Sequence, residues 1–373
     1  MATILDYVCW RGDLTFQERR FNEVDNLILA TLAYVDFTDI VPKDMTRGIR
    51  LKEVYRRYIE LEHDQSSYFL DPFPLLKICA MSRRYQNIVV KHHVRDVDTD
   101  RQVQFSAVTF VPGNGHLYVG ICGTDDTIIG WREDFNFSYM NSTQGQEEAK
   151  EYLNRTLEYE EIPIIVGGHS KGGNLAIYAA AFCTPRQRDQ IVQVYSNDGP
   201  GFHQTLWEQP ELIAVKDKTQ HIIPQSSVIG VILANKAEKK IIKSKGHGLN
   251  QHNPYNWKVS PKGFLEAKEQ TKASKFLDEA LNEWIGSVEY SQREEFVSAV
   301  FDAMTASGMA TLSEMNSEKW RTFSSTLTAL LQMEQDRKKV ILKTLKALVI
   351  ANGKTVVHKA KRFAPKRKKK DGI

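Results

Sequence analysis

The chain has 373 residues, 42% hydrophobic and 26% charged, an ordinary globular composition with room for one large domain or two. No run of about 18 apolar residues occurs, which argues against a membrane-spanning helix. The start, "MATILDYVCWRGD", lacks the basic segment and apolar core of a secretory signal, so cytoplasmic residence is expected. Cys9, Cys79, Cys122 and Cys183 are scattered, with no Cys-x-x-Cys and no histidine at metal-binding spacing, and read as reduced thiols. Net charge is +4, but the stretch 354–373 alone holds nine Lys or Arg and one Asp, leaving the other 353 residues at −4.

In chain order, the first forty residues carry one clear helical face, with Val24, Leu27, Ile28, Leu32 and Val35 at steps of three and four. "IRLKEVYRRYIEL" (Ile49–Leu61) is a second, more charged helical pattern. The segments "NIVVKHHV", "QVQFSAVTFV" and "HLYVGIC" then follow, rich in β-branched and aromatic residues. Turn signals at Asp98-Thr99-Asp100 and Gly113-Asn114-Gly115 separate them, which predicts successive, partly antiparallel strands. From Gly145 onward helices and strands alternate. A polar helix (Gln146–Tyr159) precedes strand Ile162–Val166, an Ala-rich helix precedes strand Ile191–Ser196, and Thr219–Ile223 and Lys240–Lys243 complete the set. Such alternation predicts an α/β fold with a mainly parallel sheet flanked by helices. After Ser260-Pro261 only helical spacing remains, in Leu277, Leu281 and Trp284, in Phe296, Val300 and Met304, and in Trp320, Phe323 and Leu327. The expected organisation is a helical segment over 1–85 packing on a core over 86–260. A helical region over 261–353 and a disordered basic tail over 354–373 follow.

The most informative stretch is "IPIIVGGHSKGGNLAIYAAAF" (Ile162–Phe182). Gly168-His169-Ser170-Lys171-Gly172 satisfies Gly-x-Ser-x-Gly, with a strand before it and a helix after it. That placement is what a nucleophile elbow needs. The sharp turn lifts the serine hydroxyl above the sheet, the glycines avoid collision with neighbouring backbone, and the next N–H faces a developing oxyanion. A glycine-rich turn without chemistry is the alternative; a P-loop is excluded, because Gly-x-x-x-x-Gly-Lys-Ser/Thr is absent.

A nucleophilic serine in this architecture needs an acid and then a histidine, in that chain order. "VQVYSNDGPGF" places Asp198 directly after the next strand, although Asn-Asp-Gly-Pro-Gly is also a turn sequence in its own right. The following strand ends in "HIIPQSS", which offers Gln225 and no carboxylate, so Asp198 is the candidate acid. The loop "SKGHGLNQHNPYNW" carries two candidate bases. His252 precedes an aromatic pair, Tyr255 and Trp257, able to anchor the loop, whereas His247 stands between glycines and is the alternative base. His169 and His221 read as structural.

These motifs together, with "YVGICGTDDTIIGWREDFNFSY", "GGHSKGGNLA", "SNDGPGF", "IPQSSVIG" and "QHNPYNW" in order over about Gln86 to Trp257, resemble the α/β-hydrolase superfamily on its class three (fungal-type) lipase branch. More closely they resemble a bacterial family of uncharacterised lipase-like proteins. The resemblance implies that Thr124 supplies an oxyanion donor, that the Lys171 N–H supplies the other, and that Asp134 orients the Thr124 hydroxyl. Two departures stand out: Cys122 replaces the family's usual arginine, and the acid expected after "HIIP" is missing. Trp131, Phe135, Phe137, Tyr139 and Met140 follow the presumed oxyanion turn, as acyl-pocket wall or as core.

The expectation is therefore a serine hydrolase acting on a small-molecule or lipid acyl ester through Ser170, His252 and Asp198, with no metal or organic cofactor. A catalytically degenerate binding protein, or an acyltransferase or thioesterase using the same serine, are the alternatives. The basic tail, "KAKRFAPKRKKKDGI", reads as a solubilising segment, as a contact for an anionic membrane surface, or, last, as a nucleic-acid contact, since only one aromatic residue interleaves it and no nucleic-acid-binding motif accompanies it.

Overall fold

The computed structural model describes residues 2–43, 46–61, 70–98, 103–123, 132, 136–159, 161–246, 248–287, 290–308 and 322. The chain opens with helices α1 (Ile4–Arg11) and α2 (Glu23–Leu32), and a two-residue strand β1 (Ile49–Arg50) leads into α3 (Leu51–Tyr58) and α4 (Phe73–Met81). Next come strands β2 (Val89–Asp98), β3 (Val103–Val111) and β4 (Leu117–Ile121). The alternating part follows as α5 (Gln144–Tyr159), β5 (Ile164–His169), α6 (Lys171–Phe182), α7 (Pro185–Gln190), β6 (Ile191–Asn197), α8 (Pro210–Lys216), β7 (Thr219–Pro224) and β8 (Glu238–Ile242). A small hairpin of β9 (Val259–Ser260) and β10 (Gly263–Phe264) precedes helices α9 (Lys272–Ser287) and α10 (Tyr290–Ala306).

The eight strands β1 to β8 lie side by side in chain order. The pairs β1–β2, β2–β3 and β3–β4 are antiparallel, and every pair from β4 to β8 is parallel. This is the α/β-hydrolase-type sheet expected from the alternation of helix and strand patterns. Because each parallel crossover steps the same way and is right-handed, the crossover helices fall on one face of the sheet. The α5, α6 and α8 helices accordingly share one core with Phe105, Ala107, Leu117, Val119 and Val166. Helices α1 to α4 share the other core with Val90, Val108, Phe110 and Tyr118. The split follows the period of two along β3 and β4, where successive side chains point to opposite faces.

Some elements escape the periodicity of the sequence. The α4 segment, "FPLLKICAM", is apolar almost throughout, so no stripe shows, and its burial of Leu75, Leu76, Cys79 and Ala80 comes from tertiary contact. The α1 segment mixes β-branched and aromatic residues of modest helix propensity. Its start is held by Asp6, which accepts the Thr3 N–H at 2.7 Å. The first forty residues thus hold two helices where one is predicted. Likewise Gly263–Phe264 is a strand beyond Pro261, too short for any period to reveal it.

The N-terminal layer is fastened by a buried ion pair. Arg84 Nε and Nη2 donate to the two Asp25 oxygens at 2.8 and 2.7 Å, with both side chains fully buried. The remaining guanidinium donors reach the carbonyls of Leu14, Thr15, Arg19 and Arg20, and the Arg84 guanidinium lies 4.0 Å from the centre of the Phe16 ring. Asp25 also accepts the Tyr85 hydroxyl. All donors and acceptors of the pair are satisfied, the condition under which a charge tolerates burial.

Four of the buried histidines are held neutral. Desolvation pushes His92, His93 and His221 down to about 4, and His169 well below its usual range. In the unfolded chain a histidine takes up its proton near pH 6.5. Between about pH 6.5 and 4 the unfolded state therefore binds more protons than the folded one, and stability falls as pH falls through that window. The expected loss is at most about 1.4 kcal/mol per pH unit for each histidine. Urea unfolding midpoints at pH 7.5, 6.0 and 5.0 check this: a midpoint that stays level would contradict it.

Candidate active site

Ser170 joins β5 to α6 with φ 59° and ψ −134°, a backbone conformation rare for a side-chain-bearing residue. Such a turn costs of order 1–3 kcal/mol and persists only where the surroundings impose it. Here they do. A Cβ on Gly168 would stand 2.2 Å from the Gly172 carbonyl oxygen, and one on Gly172 would stand 2.2 Å from that of Ile121. Asn197, at the end of the adjacent strand β6, accepts the Ser170 N–H at 3.0 Å and donates its side-chain amide to the Gly168 carbonyl at 3.0 Å. Asn26 of α2 donates in turn to the Asn197 side chain at 2.9 Å. The N-terminal layer thus braces the turn from below.

Asp198 follows Asn197 directly and, like Ser170, has a positive φ, 51°. It is fully buried. The loop behind it is tied to α6 by Asn174, whose amide donates to the carbonyls of Pro200 and Gly201 at 3.3 and 2.7 Å. His252, 4% exposed, places Nδ1 2.7 Å from Asp198 Oδ2. Its loop is pinned by Trp257, fully buried, whose indole N–H donates to the Gln251 carbonyl at 2.8 Å, and by Tyr255, whose hydroxyl donates to the Asp71 carbonyl at 2.7 Å. The structure therefore brings Asp198 and His252 into direct contact although they are 54 residues apart. Among the described residues, the hydrogen bonds of Ser170 are those of its backbone, to Asn197 and from Gly173.

Lys171 is the first residue of α6, so its N–H belongs to the helix end where amides lack intrahelical partners and the dipole favours negative charge. Its side chain is buried, and Nζ donates to the Gln104 carbonyl at 2.9 Å. Thr124, Asp134 and the alternative base His247 lie outside the described residues, as do Trp131, Phe135 and the basic tail. Of the apolar residues between Trp131 and Met140, Phe137 is buried in the core on the crossover-helix face, and Met140 is 37% exposed. Among the described residues, no helix is long and apolar enough to cross a membrane.

Three residues of the site give no signal in the sequence. His169 sets Nε2 2.8 Å from the His252 carbonyl and Nδ1 3.1 Å from the Tyr34 hydroxyl. Since a carbonyl only accepts, Nε2 carries the proton and Nδ1 accepts from Tyr34. His221 makes a similar contact two strands over, with Nε2 3.0 Å from the Gly230 carbonyl. Ser227 and the Gly230 N–H both donate to Asp198 Oδ1. The turn after β7, which holds no acid of its own, instead supplies donors to the acid on β6. The contacts of Asp198 join residues 29 and 32 positions apart, and those of His169 join residues 83 and 135 apart, beyond what local spacing reveals.

A family model described as Mbeg1-like matches residues 79–302, more than half of the chain and all of the site described above except α2, Tyr34 and Asp71. No curated protein matches the chain.

Proposed function

The chain belongs to the Mbeg1-like family, a lipase-like family, and from that premise we propose that it is a serine ester hydrolase working through an acyl-enzyme on Ser170. What carries the reading is the 2.7 Å bond between His252 Nδ1 and Asp198 Oδ2 beside a strained serine turn. With Nδ1 bonded to the Asp198 carboxylate, Nε2 is the proposed base. In the proposed reaction Ser170 Oγ attacks the ester carbonyl while His252 Nε2 takes the hydroxyl proton and passes it to the leaving alcohol. Water then attacks the acyl-serine by the reverse of those proton movements and releases the acid. Asp198 keeps its charge throughout and holds the imidazole in one tautomer.

The Lys171 N–H, at the positive end of α6, is the proposed oxyanion donor on the described side of the site. Thr124, with Asp134 behind it, is the proposed second donor. The proposed mechanism requires a hydrogen bond from the Ser170 hydroxyl to His252 Nε2 in the substrate complex, where catalytic hydrogen bonds commonly tighten.

Hydrolysis of p-nitrophenyl esters of graded acyl length tests the reading. Wild type is expected to turn over at least one of them, and Ser170→Ala to lose that rate by about 10³-fold or more. Equal rates in the two proteins would overturn it.

A further inference from the structure

We propose that Ser227 is a positioning residue for Asp198, and that helix α9 is the element that holds Ser227 to this task. The inference rests on the reading of Ser170, His252 and Asp198 just given. Asp198 presents its two oxygens to different partners, Oδ2 to His252 and Oδ1 to Ser227 Oγ and the Gly230 N–H. An aspartate carboxyl turns easily about its last torsion, which has no sharp minimum. Held through one oxygen it swings; held through both, its plane is fixed, and with it the line along which Oδ2 meets the imidazole. Ser227 stands at the centre of this hold. Its Oγ donates to Asp198 and accepts the Gly230 N–H at 2.9 Å. At 1% exposure it has no water to replace either partner.

Ser227 is itself fixed from the C-terminal side. Ser274 of α9 donates its hydroxyl to the Ser227 carbonyl at 2.7 Å. Leu277, Ala280 and Leu281 of α9 pack on Val228, Ile229 and Val231 of the same turn. The turn also reaches the base: the Ser226 N–H donates at 2.9 Å to the side chain of Gln251, the residue before His252. One seven-residue turn, Gln225 to Val231, thus connects acid, base loop and C-terminal helix. The helical region, otherwise remote from the chemistry, is through it a part of the site's rigid frame.

The test uses the full chain with Ser227→Ala, and Ser227→Cys as a near-isosteric variant with a weak donor. The readouts are kcat, KM, labelling rate by a fluorophosphonate, urea unfolding midpoint and the downfield proton resonance of the His252 Nδ1–H, assigned with His252→Ala. Both variants are expected to stay folded and keep the KM of wild type, with an unfolding midpoint lowered by the loss or weakening of one buried hydrogen bond. In both, kcat and labelling rate should fall together, roughly 10- to 100-fold, and the downfield resonance should broaden or move upfield. Wild-type kcat and an unmoved resonance in either folded variant would overturn the inference. If wild type itself is not labelled, the hydrolase reading fails instead; labelled wild type with equally labelled Ser227→Ala defeats the positioning role alone.

Discussion

Replacing His252 by alanine is expected to lower kcat for an activated ester by about 10⁴- to 10⁶-fold while KM changes little. The size follows from what is lost. Without the imidazole, the Ser170 hydroxyl must attack without a base, and the departing alkoxide must leave without a proton. Removing Asp198 as well is then expected to cost almost nothing more, because the carboxylate acts only through the ring it holds at 2.7 Å. A kinetic cycle of His252→Ala, Asp198→Ala and the double variant checks both expectations. Additive losses would mean that the two residues do not act as a unit. The same assay separates the two candidate bases: His247→Ala should keep its activity.

The second large effect concerns stability. Arg84→Ala is expected to destabilise the fold by about 3–5 kcal/mol, because it leaves the Asp25 carboxylate buried without its counter-charge, beside only the Tyr85 hydroxyl and the Asn22 N–H as neutral donors. It also releases the carbonyls of the loop from Leu14 to Arg20, which the guanidinium gathers. Comparison with the surface makes the point about environment. Glu53 holds both Arg56 and Arg57 and its carboxyl is drawn down to about 2, yet it stands in solvent. There water competes for the same charges, so Glu53→Ala should leave the urea midpoint where it is. Equilibrium unfolding of both variants beside wild type measures the contrast. Similar midpoints for the two would contradict it.

Much of the frame is readable in the sequence, for physical reasons that can be named. The β-branched runs from Val89 to Ile121 and the strand–helix alternation after Gln144 follow from side-chain period, which survives without tertiary knowledge. The serine turn is readable because the glycines around Ser170 have no room for a side chain, a purely local demand. Asp198 and His252 become candidates through chain order, the strand before Asp198 and the aromatic pair after His252, with His247 as the alternative base, and the missing carboxylate after β7 points to the acid after β6. What cannot be read is how the acid is held. The segment "PQSSVIG" shows an absence, Gln225 in place of a carboxylate, and not the donor that Ser227 makes across 29 residues. His169 looks like an inert member of the turn; only the folded loop brings the His252 carbonyl to its Nε2. Helix α4 hides for the opposite reason, being apolar on every side and so without a stripe.

The direct measurement for the whole account is the mass and location of a covalent adduct. Wild-type protein treated with a fluorophosphonate should gain the mass of one phosphonyl group, and peptide mapping should place it on Ser170, with no adduct formed by Ser170→Ala. An adduct on another residue, or none on wild type, would contradict a nucleophilic serine at this turn.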